Sequence, residues 1–124
     1  MKFNLPFIII LFSLSCNNPN QQKIKISNDN SAWIQDSLGC LNKRNMDLAE
    51  KMIHEGSLEN SSISEFKKLF GKSNETKYDG SLVTFIYYWG SVCHNNSIQK
   101  NSDKCYAKFV FDKGRLIDRG YPCE

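Results

Sequence analysis

The opening of the chain limits everything that follows it. Lys2 precedes an apolar run from Leu5 to Leu14, broken only by Pro6 and Ser13, and the run ends at Ser15 and Cys16. A positive start, a short apolar stretch and a small residue at the cut form an export signal. The run falls short of the about twenty apolar residues that a membrane span needs. Cys16 directly after the small residue, with polar Asn17, Asn18, Pro19 and Asn20 behind it, is the arrangement of a bacterial lipoprotein, in which Cys16 becomes the acylated first residue. Leu14-Ser15-Cys16 fits a loose version of that box, with Ser13 where an aliphatic residue is usual. The alternative is plain secretion with a cut near Ser15. Residues 1–15 are expected as a lipoprotein signal peptide. The product is expected in the cell envelope, held by palmitate-type lipid on Cys16 at the outer membrane and facing the periplasm.

Export fixes how the remaining sulfur is read. The chain has five cysteines, and acylation of Cys16 leaves an even set: Cys40, Cys93, Cys105 and Cys123. No C-x-x-C is present, so neither a zinc pair nor a redox motif is indicated, and an oxidising compartment favours two disulfides. Three pairings are possible. Cys93 with Cys105, at the two ends of a long loop, is favoured, which leaves Cys40 with Cys123.

A chain of 124 residues with a formal charge of +3 holds one domain and has no charge imbalance that demands nucleic acid. Lys67, Lys68, Lys72 and Lys77 read as a solvated helix face and the turn after it. Residues 16–31 are polar and are expected as a tether, with Lys23-Ile24-Lys25-Ile26 alternating as an edge strand would. The domain is expected over 32–124. Leu41, Leu48, Ala49, Met52 and Ile53 make one apolar stripe, which predicts a helix from Leu41 to Ile53 ending at Gly56. Ser62-Ile63-Ser64-Glu65 is a capping box. It opens a second helix that buries Ile63, Phe66, Leu69 and Phe70 and stops at Gly71. After a polar turn around Asn74 and Asp79-Gly80 the period changes to two. Leu82–Trp89 is apolar on both faces and is expected as a central strand. A loop from Gly90 to Lys104 follows. Then come a strand Cys105–Phe111, a three-residue turn Asp112-Lys113-Gly114, and a strand Arg115–Arg119. The expected fold is α+β, two N-terminal helices packed on a three-stranded antiparallel meander.

No residue set forms a catalytic site. Cys93-His94 is the one Cys-His neighbour pair, but adjacent side chains rarely aim at each other and Cys93 is wanted for a bridge. His54 reads as a helix C-terminal charge. Asp36 with Glu50, and Asp112 with Asp118, read as solvated carboxylates. There is no phosphate-binding glycine motif. No enzyme activity, cofactor or metal is expected. Tyr87 and Trp89 are singled out as a partner-binding face, with the core-strand reading beside it.

Phe66-Lys67-Lys68-Leu69-Phe70-Gly71-Lys72, the strand Phe85-Ile86-Tyr87-Tyr88-Trp89 and the hairpin Lys108-Phe109-Val110-Phe111-Asp112-Lys113-Gly114-Arg115-Leu116-Ile117 resemble the small outer-membrane lipoproteins of the SmpA/OmlA, or BamE-like, group. The resemblance spans about Ser62 to Asp118. It implies two helices on a three-stranded antiparallel sheet and a part in outer-membrane β-barrel assembly. Ser73 stands where that group commonly has Pro. The function expected is a lipid-anchored binding or scaffolding module for another envelope protein, using the exposed sheet face or the 90–104 loop. The alternative is a periplasmic inhibitor or immunity-type protein that blocks a secreted enzyme.

Overall fold

The computed structural model describes residues 28–124. The signal peptide, Cys16 and the Lys23–Ile26 alternation lie outside the described residues. Three helices, α1 (Asn28–Gln35), α2 (Met46–Glu55) and α3 (Ile63–Phe70), precede β1 (Glu75–Asp79) and β2 (Leu82–Trp89). A small hairpin of β3 (Cys93–His94) and β4 (Ser97–Ile98) follows, and β5 (Cys105–Asp112) and β6 (Arg115–Gly120) complete the chain. The main sheet is antiparallel with order β1-β2-β5-β6. Two helices on three strands is therefore overturned in both numbers. The fold is α+β with three helices, a four-stranded sheet and a separate two-stranded one.

Each difference has a local cause. The third helix, α1, takes the last residues assigned to the tether. Its Trp33 is fully buried and its Asn30 donates to Leu69 O at 2.7 Å, so tertiary contact offsets a weak amphipathic pattern. The first expected helix begins at Met46 rather than Leu41. Asn45 caps it by accepting from Leu48 N at 2.8 Å, and the residues before it are held in a turn described below. The fourth strand, β1, occupies the stretch read as a polar turn. It pairs with β2 through the two-residue loop Gly80-Ser81, where Gly80 has a φ of 58°, a primed-type hairpin turn. Asp112 pairs with Arg115 across Lys113-Gly114, so that turn has two residues, both at positive φ, rather than three.

Other expectations hold. The capping box on α3 is formed in both directions, Ser62 Oγ accepting from Glu65 N and Glu65 accepting from Ser62 N. Gly71 ends α3 at a φ of 69°, and β2 is an interior strand.

The helices cover one face of the sheet. Phe85, Tyr87, Ala107, Phe109, Phe111 and Leu116 meet Trp33, Ala49, Met52, Ile53, Leu58, Phe66, Leu69 and Phe70 in one buried cluster. Phe66 is its centre, stacked on Phe70 at 4.3 Å and within 5.1 Å of the Phe109 and Phe111 rings. Such offset and edge contacts add to the area the rings bury.

Two disulfides are present, joined differently from the favoured pairing. Cys40 bonds Cys93, and Cys105 bonds Cys123. The turn around Gly39 lies against the end of β2, so Cys40 reaches the start of the long loop. The tail runs back beside β5, with Cys105 and Cys123 bridged and Tyr106 N donating to Pro122 O at 2.8 Å.

Loop-closure entropy grows with the number of residues enclosed. Replacing Cys40 and Cys93 together, which span 53 residues, is expected to cost about 4 kcal/mol, and replacing Cys105 and Cys123, which span 18, about 3 kcal/mol. Urea titration of the two double variants checks both the size and the order.

Candidate functional site

The end of β2 is fixed by a buried polar turn. Asp36 is 1% exposed, and its carboxylate accepts from Leu41 N at 2.9 Å and from Lys43 N and Arg44 N at 3.0 Å each. Three backbone donors held by one carboxylate keep residues 41–44 out of the helix. Arg44, also buried, donates to Trp33 O, Ser37 O, Asn74 Oδ1 and Tyr88 O. Its guanidinium lies 5.0 Å from the Trp33 ring and 5.4 Å from the Tyr87 ring. Burial pulls Arg44 down to about 10 while Asp36 opposes the fall, so it remains charged at neutral pH. Asn74 completes the cluster by accepting from Tyr88 N and donating to Ser37 O. Gly39, at a φ of 71°, sits where a Cβ would come within 2.7 Å of Trp89 Cα.

The register with β1 and β5 shows which side chains of β2 face outward. The register places Glu75 beside Ile86 and Ile86 beside Lys108, then Lys77, Thr84, Val110 and Asp118 in the next row. Tyr88 and Tyr106 are directly opposite each other on this outer face, with rings 5.7 Å apart and edge-on. The Lys104 ammonium sits 5.2 Å from one ring and 5.5 Å from the other. The residues buried on α1, α2 and α3 all belong to the opposite, inner layer or to the turn beside it. Tyr88 is pushed up to about 12 by burial and by the Glu75 carboxylate beside it.

A second polar cluster ties α2 to β6. Arg119 makes a bidentate pair with Glu50 at 2.6 and 2.9 Å, reaches Glu59 at 2.7 Å, and Tyr121 donates to Glu50 at 2.6 Å. The Arg119 guanidinium holds the Glu50 carboxyl below its ordinary range. Burial, then Glu50, push the Tyr121 hydroxyl up.

The residues singled out from the sequence are spread apart. Tyr87 is fully buried and donates to Gly71 O at 2.8 Å. Trp89 shares its face and packs against the core. The side chains turned to the other side of the sheet at that end are Tyr88 and Tyr106. Asp36 is a buried acceptor of backbone N–H groups rather than the solvated carboxylate expected, whereas Glu50 is partly solvated and ion-paired with Arg119. Asp112 accepts from Ser81 Oγ at 2.6 Å, and Asp118 is exposed on the outer face. Cys93 is bridged, which removes the thiolate that a Cys93-His94 nucleophile requires. His54 and His94 are both exposed. Among the described residues no group of three or more His, Cys, Asp or Glu side chains is placed to hold a metal, and no helix is long and apolar enough to cross a membrane.

No protein-family model, no curated protein and no solved structure matches this chain.

Asp36→Asn places an amide donor among three backbone N–H groups. It is expected to lower stability by about 1–3 kcal/mol, read from chemical denaturation with the far-UV spectrum retained. Glu50 is ionised more readily in the folded chain than in the unfolded one. Its stabilisation is therefore complete above the unfolded carboxyl's value of about 4.3 and fades as pH falls through the lower folded one. The pair is partly solvated, so the effect stays below about 1 kcal/mol. Glu50→Gln should reduce stability at pH 7 and show a shallower further loss between pH 5 and pH 3, measured by thermal unfolding across that range.

Proposed function

We propose that this chain is a lipid-anchored cell-envelope protein without enzymatic activity, which binds another envelope protein through the outer face of its sheet. The observation that carries the reading is that face itself. Its aromatic pair, Tyr88 and Tyr106, and the half-buried Thr84 and Val110 have no helix over them among the described residues, and Ile86 between them is buried by its neighbours on the same face. Tyrosine-centred patches rimmed by charge are favoured at protein interfaces. Two disulfides within the described residues accord with an oxidising compartment, and the N-terminal pattern ending at Cys16 supplies the anchor. Scaffolding within outer-membrane protein assembly, the role implied by the BamE-like resemblance, is the form of this activity that we favour.

A second reading, a periplasmic inhibitor or immunity-type protein, draws on a different feature. The β3–β4 hairpin is joined to the body by Cys40–Cys93 and carries exposed Asn95 and Asn96 at its tip, with φ of 50° and 61°. A turn held by a disulfide suits one-to-one blockade, because little order is lost on binding.

Two measurements test the first reading. Cys16→Ser is expected to move the protein from the membrane fraction to the soluble fraction. A photo-crosslinking residue at Val110 should trap an envelope protein, while one at Asp47 on α2 should trap none. Crosslinks confined to Asn95 or Asn96, with a lytic enzyme as the product, favour the inhibitor instead.

A further inference from the structure

We infer that Tyr88, Tyr106, Glu75 and Glu124 form a receptor for a single cationic side chain, a lysine or arginine of the bound partner, and that Lys104 occupies it in the free protein. The inference rests on the outer face being the partner surface and names what that surface recognises.

Four elements bring the group together. Tyr88 and Tyr106 are cross-strand neighbours on β2 and β5. Glu75 on β1 is opposite Ile86, hence diagonal to Tyr88, and its carboxylate faces the Tyr88 hydroxyl. The tail brings in Glu124, whose N–H donates to Lys104 O at 3.2 Å. The Cys105–Cys123 bond ties that tail to the first residue of β5, and the Glu124 side chain lies beside the Tyr106 hydroxyl. Two aromatic rings meet there, and the two carboxylates stand at their hydroxyl ends, adding negative charge around a pair whose faces attract an ammonium or guanidinium.

The chain itself shows such a cation in place. Lys104 Nζ stands over both rings, 5.2 and 5.5 Å from their centroids. An exposed cation–π contact is weak, so the tethered lysine is readily displaced by a second cation that brings further contacts with it. An arginine is the better competitor, because its planar fork stacks on a ring while pairing with a carboxylate. Lys108 and Lys77 lie in the rows beyond, facing Ile86 and Thr84. They discourage a long basic segment and favour one inserted side chain.

The test uses the full chain in detergent with both disulfides intact, and follows the tyrosine ring resonances by NMR. The probe is N-acetyl-arginine amide, and its neutral isostere N-acetyl-citrulline amide is the control. Lys104→Ala and Lys104→Met are each expected to bind the arginine probe about fivefold more tightly than the unaltered chain, with the citrulline probe unchanged. Tyr88→Ala introduced beside Lys104→Ala should abolish the gain. Equal affinity with and without Lys104, or equal shifts from the two probes, overturns the inference. Cation binding without a crosslinked partner at Val110 leaves this site standing and removes the scaffolding reading; a crosslinked partner without cation binding does the reverse.

Discussion

The arrangement of Asp36 and Arg44 is the constraint on which the rest of the structure turns. Two buried ionic groups in one short segment are tolerable only when hydrogen-bonded on every side. Asp36 meets this through the N–H groups of Leu41, Lys43 and Arg44, and Arg44 through the carbonyls of Trp33, Ser37 and Tyr88 and the side-chain oxygen of Asn74. Those partners belong to α1, the turn after it, the approach to β1 and the last turn of β2. A single guanidinium thereby sets the position of the helical layer relative to one end of the sheet. It also places Cys40 where Cys93 can reach it.

Around this point the two halves of the core are built on different principles. The α3 helix contributes a compact aromatic stack, Phe66 on Phe70, against Phe109 and Phe111. At the β6 edge the helices are joined by charge instead, through Glu50, Glu59, Arg119 and Tyr121. Aromatic packing carries no titrating group, whereas the partly solvated ion cluster depends on pH and salt. Among the described residues neither cluster extends over the outer face of the sheet.

Much of the local structure was legible in the residues. The Ser62 capping box, the stop at Gly71 and the strands β2, β5 and β6 follow from short-range chemistry that acts within a few positions. What was not legible involved partners far along the chain. The helix α1 has no strong apolar stripe and forms because Trp33 fills the core and Asn30 caps carbonyls at the end of α3. The strand β1 is polar, Glu75-Thr76-Lys77-Tyr78-Asp79, and exists because β2 offers it an edge. Of the candidate site, Tyr87 and Trp89 were given the wrong face. Because β2 is apolar on both sides, its own pattern carries no sign of which is inward. The signal lay in β5, where Ala107, Phe109 and Phe111 alternate with Tyr106 and Lys108, and it transfers to β2 only through their register.

By itself, the sequence determined an α+β domain with four cysteines, Cys40, Cys93, Cys105 and Cys123, and the boundaries of α3 and the three longest strands. Those features are encoded by neighbours in the chain, where periodicity and caps operate. Tertiary structure alone decided the joining of Cys40 to Cys93 and Cys105 to Cys123, the burial of Asp36 and Arg44, and the outward placement of Tyr88 beside Tyr106. Each depends on segments tens of residues apart meeting in one register, and no local pattern specifies that meeting before the core has closed.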